Sequence, residues 1–73
     1  MNTQTLDTLS ELRDFVAHQA EEDAVLPIAE RRYQADLVTD VLRQELKPSK
    51  AGELISDYSK QVARHLQTKL PIT

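Results

Sequence analysis

Apolar residues recur at spacings of three and four along the last third of the chain: Ala51, Leu54, Ile55, Tyr58, Val62, Leu66 and Leu70. On a helix of about 3.6 residues per turn these positions share one face, so the pattern predicts an amphipathic α-helix from Ser49 to Leu70. Pro48 and Pro71 bracket it, because proline breaks a helix interior. Ser49 is the expected N-cap: its hydroxyl can accept a bond from one of the first unpaired backbone N–H groups.

A narrower stripe comes first, formed by Leu9, Leu12, Val16 and Ala20, with Leu6 beside it. It predicts a helix from Thr8 to Ala20, with residues 1–6 as a frayed start. Thr8-Leu9-Ser10-Glu11 fits a capping box, and Asp7 and Glu11 suit the positive end of a helix dipole. Phe15 falls to one side of this stripe, where it either packs on a neighbouring helix or meets a partner. Glu21-Glu22-Asp23 opposes the dipole at the helix end and predicts a solvated turn. Three consecutive helical residues point in different directions, so they do not converge on a metal.

Between the two lies a second helix, predicted from Pro27 to Leu46 with Pro27 in the first helical position. Ala35, Val38, Val41, Leu42 and Leu46 form its apolar side, with Leu37 at the edge and Asp36, Asp40, Arg43 and Lys47 opposite. Its first half breaks the pattern, because Arg31 and Gln34 occupy the face that the second half fills with apolar residues. Either the helix breaks near Gln34, or its first turns project beyond the core. A projecting end carrying Arg31, Arg32 and Tyr33 is a contact surface, whereas at a bundle rim the same residues would snorkel. The predicted fold is one all-α domain, a small bundle of three helices, or four if the second helix breaks.

Composition adds constraints. A chain of 73 residues is near the lower limit for a self-sufficient core, and without cysteine it has neither disulfides nor thiolate metal sites. That cysteine usage fits a reducing cytoplasm. No apolar run reaches the ~20 residues of a membrane span, and the N-terminus reads as no signal peptide. Net charge is −3, with eight acids and three bases in residues 1–36 against four acids and six bases in residues 37–73. The overall sign argues against a general nucleic-acid binder, although the second half keeps a local contact open.

No catalytic constellation is present. Gly52 is the only glycine, so there is no phosphate-binding loop. His18 and His65 are the only histidines and lack a zinc-ligand spacing; His65 reads as a half-buried helix residue. The chain reads as a non-enzyme with no metal, cofactor or small-molecule substrate. Ser59 to Leu66 looks like the recognition helix of a helix-turn-helix protein, in which Lys60, Gln61 and Arg64 would face the DNA groove. That reading needs a turn near Ser56-Asp57-Tyr58, where the apolar stripe runs on without Gly or Asn.

The whole chain resembles the small transcription regulators of xanthomonad phages. The likeness lies in total length, in the opening Met1-Asn2-Thr3-Gln4-Thr5-Leu6, in the acidic, cysteine-free composition and in the helical make-up. The resemblance implies a cytoplasmic protein of the infected bacterium that binds the host RNA polymerase core. It would displace the sigma factor from host promoters and permit read-through of terminators. An acidic first half could meet a basic polymerase surface. From the residues themselves, the expected partner contact is Arg31, Arg32 and Tyr33, with Phe15 as an apolar anchor. A small antitoxin or adaptor that binds another protein needs no more than such a surface, and a helix-turn-helix regulator is the DNA-binding alternative.

Overall fold

The computed structural model describes the backbone of residues 4–69 and the side chains of residues 9–68. Three helices follow one another: α1 (Gln4–Asp23), α2 (Ile28–Glu45) and α3 (Pro48–Lys69). α3 runs antiparallel to α1, because Asp23 meets Tyr58 while Asp14 and His18 lie beside Gln61 and His65, and antiparallel to α2, because Arg31 lies beside Val62 while Arg43 lies beside Ala51. α3 is the organising element. It packs along both other helices, which touch each other only slightly. No strand occurs among the described residues, and the small all-α bundle of three helices is the observed architecture. Among the described residues no helix is long and apolar enough to cross a membrane.

The helix ends differ from the sequence pattern in instructive ways. Gln4, Thr5 and Leu6 already lie in α1, so the capping box at Thr8 is interior to a helix that nothing upstream interrupts. Residues 1–3 and 70–73, including Leu70 and Pro71, lie outside the described residues. At the other end α1 continues through Glu21-Glu22-Asp23 rather than stopping at Ala20. Neither internal proline holds the position expected of it: Pro27 lies just before its helix and Pro48 within the next one. Pro27 is the N-cap of α2, its carbonyl accepting from the Arg31 N–H at 2.8 Å. Pro48 is the first helical residue of α3, and the Lys47 carbonyl accepts from the Ala51 N–H at 2.8 Å. Ser49 is therefore inside the first turn rather than capping it. Proline at that position loses nothing, since its missing N–H would have had no helical partner. α2 is unbroken through Gln34 and ends at Leu46, whose extended backbone leads into α3.

The core is compact in composition. Val16 and Ala20 from α1, Val38 and Leu42 from α2, and Ala51, Leu54 and Tyr58 from α3 are buried together. Leu9, Leu12, Phe15, Ala35, Leu46, Ile55 and Val62 pack around them, half-buried. The stripes on α1 and α3 thus form the core as expected, but α2 does not place its whole apolar side inward. Val41 and Leu37 are 39% and 40% exposed. A helix leaning on one neighbour buries a single ridge, here Val38 and Leu42 at i and i+4, and leaves the residues beside it in solvent.

Gly52 lies within α3, with a negative φ and nothing within 4 Å of where a Cβ would stand. Gly52→Ala should therefore stabilise the chain by up to about 1 kcal/mol, because alanine loses less backbone freedom in a helix. For a domain of this size that is about 4 °C in Tm, readable by thermal circular dichroism. An unchanged or lowered Tm would mean that this turn of α3 is not helical.

Candidate functional site

The most tightly organised polar group lies where the end of α1 meets the middle of α3. Asp23, the last of the three acids, is only 2% exposed. The Tyr58 hydroxyl donates to its Oδ2 at 2.5 Å, and Gln19 Nε2 donates to its Oδ1 at 3.0 Å. Both carboxylate oxygens are engaged, and no buried side-chain polar atom among the described residues lacks a partner. Glu21 and Glu22 are exposed, as a solvated cluster requires, but Asp23 is part of the core. Its two donors, Gln19 one turn back in α1 and Tyr58 from α3, offset the unfavourable dipole where α1 runs on to Asp23.

Tyr58 is perturbed in turn. Burial pushes its pKa well above the ordinary tyrosine value, the bond to Asp23 and that residue's charge push the same way, and the Arg31 charge opposes them. Above about pH 10 the unfolded tyrosine releases its proton while the folded one keeps it. The unfolded state then binds fewer protons, so stability falls as pH rises. The contribution of Tyr58 is fully present below about pH 10 and declines above it. The Tm difference between the wild type and Tyr58→Phe should narrow from about pH 9 to pH 11, since phenylalanine has no proton to lose. A difference that stays constant would contradict the assigned shift.

Next to this pair, α2 and α3 enclose a groove of about 190 Å³ lined by Arg31, Arg32, Ala35, Tyr58, Ser59 and Val62. Arg31 is half-buried and its Nη1 donates to the Leu26 carbonyl at 3.2 Å, tying the start of α2 to the preceding turn. Arg32 is exposed at the rim. Neither forms an ion pair among the described residues, where the recorded pair is the surface contact Lys50–Glu53 at 3.6 Å. Next to Arg32 in α2, Tyr33 is 64% exposed and begins a run with Leu37 and Val41 at i, i+4 and i+8. This is one apolar stripe of α2 with no helix over it.

The four residues expected at a partner contact are therefore not brought into a single patch. Arg31 and Arg32 share the groove, Tyr33 heads the neighbouring stripe, and Phe15 packs on the margin of the core. Arg31 and Gln34 are half-buried within a continuous helix, so the break that was one explanation of their position is absent. The helix-turn-helix reading meets a clear obstacle. Ser56, Asp57 and Tyr58 are helical, and α3 is one helix of 22 residues without the required turn. Lys60 and Arg64 are exposed, but Gln61 is turned toward α1 and donates to Asp57 Oδ2 at 2.9 Å.

A wider groove of about 480 Å³ between α1 and α3 contains both histidines, with Asp14, Ala17, Glu21 and Gln61. Among the described residues no three His or acidic side chains are placed to hold a metal ion. Sequence reasoning missed the Asp23–Tyr58 pair and the exposure of Val41. The first had a signal: continuing the stripe Val16–Ala20 by three residues lands on Asp23. No family model, curated protein or solved structure matches the chain.

Proposed function

We propose that the chain is a phage-encoded transcription regulator that binds the host bacterial RNA polymerase core, inhibits initiation by displacing the sigma factor and promotes antitermination. The choice of partner rests on the resemblance in length, opening residues and composition. The structural observation that supports a surface-occupying protein is the uncovered stripe Tyr33–Leu37–Val41 beside the Arg31–Arg32 groove. Aromatic and arginine side chains next to apolar neighbours are the residue types that dominate binding energy at protein interfaces. Arg31, Arg32 and Tyr33 belong to the proposed contact, and Leu37 and Val41 extend it.

The test is size-exclusion chromatography of the full chain with purified polymerase core, without DNA, beside a gel shift with duplex DNA. Co-elution with core and no salt-sensitive DNA shift is the expected result. Separate elution from polymerase would overturn the proposal. A DNA shift that weakens steeply with salt would transfer the function to Lys60 and Arg64, and capture of an unrelated host protein would support an adaptor instead.

A further inference from the structure

The groove between α2 and α3 combines two cationic side chains with an apolar floor and has no acid of its own. Ala35 and Val62 line it from opposite helices, and Arg31, Arg32 and Ser59 surround them. The nearest buried carboxylate, Asp23, accepts from Tyr58 and Gln19 and forms no ion pair with either arginine among the described residues. Two adjacent arginines without an ion pair among the described residues leave this groove open to an incoming carboxylate. Arg31 spends one N–H on the Leu26 carbonyl, and a guanidinium has five, so it can still receive a carboxylate. That bond also fixes its position, so less freedom is lost when a ligand arrives.

We infer that this groove docks an acidic peptide segment of the partner protein, with one apolar side chain on Ala35 and Val62 and a neighbouring carboxylate between Arg31 and Arg32. A groove of about 190 Å³ holds one aliphatic or aromatic side chain rather than a helix face. The paired guanidinium groups favour a planar carboxylate held by two bonds. A bare phosphate would satisfy the arginines and leave the apolar floor wet, and a purely apolar segment would leave the arginines unpaired. The inference rests on the reading of the chain as a protein-binding regulator, but not on the identity of the protein bound.

A random dodecapeptide library displayed on phage provides the probe, selected on the immobilised full chain. The enriched peptides should carry Asp or Glu within four residues of Leu, Ile, Met or Phe. Titrated into isotope-labelled chain, the best of them should shift the amide signals of Arg31, Arg32, Ala35, Ser59 and Val62. Arg32→Glu and Ser59→Asp change exposed residues, so Tm should hold while peptide affinity falls at least tenfold in each. Failure of any peptide to enrich, enrichment of basic or uncharged sequences, or shifts confined to Tyr33, Leu37 and Val41 would each overturn the inference. So would concentration-dependent dimerisation through the groove. Polymerase that co-elutes equally with wild type and Arg32→Glu would overturn the groove and leave the polymerase reading standing. Peptide binding at the groove without polymerase binding would do the reverse.

Discussion

Tyr58→Asp should leave a chain that no longer folds. Tyr58 is 3% exposed at the point where all three helices meet. Removing a buried ring of this kind costs about 3–5 kcal/mol in packing alone. The replacement also sets a second carboxylate beside Asp23, which has just lost the hydroxyl that donated to it. An unpaired buried charge adds several kcal/mol. A core this small rarely supplies more than about 3–5 kcal/mol in total, so the sum exceeds the margin. Far-UV circular dichroism should show the helical signal lost, while Tyr58→Phe keeps it at a cost of about 1–3 kcal/mol. A Tyr58→Asp chain as helical and stable as the wild type would mean that neither the pair nor the stripe holds the bundle together.

The second large effect separates two adjacent residues. Leu42→Ala should cost about 2–5 kcal/mol, since Leu42 is fully buried and its loss leaves a cavity between α2 and α3. Val41→Ala, next to it but 39% exposed, should cost less than about 1 kcal/mol. Denaturant titration of the two variants measures both. Similar losses at the two positions would put both residues in the core, and the stripe Tyr33–Leu37–Val41 would then no longer be a free surface.

This pair also shows where sequence stops informing. Periodicity placed Val38, Val41 and Leu42 on one side of α2, and that much is local geometry. Which of them is covered depends on the angle at which α2 leans on α3, and no spacing within α2 carries that information. The three helices, the core stripes of α1 and α3, and the half-buried His65 were legible because each follows from a single periodicity. Asp23 was not, because its burial depends on a tyrosine 35 residues away. Its position on the Val16–Ala20 stripe was visible, but a carboxylate at a helix end reads as solvated until its donor is known. The candidate site divides the same way. Arg31, Arg32 and Tyr33 stood out by disrupting a pattern, whereas the groove that joins two of them to Ser59 and Val62 exists only once α2 and α3 are packed.

The same physics explains why the ends of the helices were misplaced. Capping signatures are worth about 1 kcal/mol and act only where the chain is otherwise free to leave the helix. Thr8-Leu9-Ser10-Glu11 carries the signature, but Gln4 to Asp7 contains no Pro or Gly to stop the helix before it. At Pro48 the fixed ring geometry, not the Ser49 hydroxyl, sets the first turn.

Release of sigma factor from polymerase holoenzyme is the most direct measurement of what the chain is proposed to do. Holoenzyme carrying fluorescently labelled sigma is mixed with increasing amounts of the full chain, and free sigma is followed by size-exclusion chromatography. The proposal predicts sigma released in a saturable, DNA-independent way, and release lost with Arg32→Glu at an unchanged Tm. Sigma that remains on the enzyme at saturating chain would contradict it.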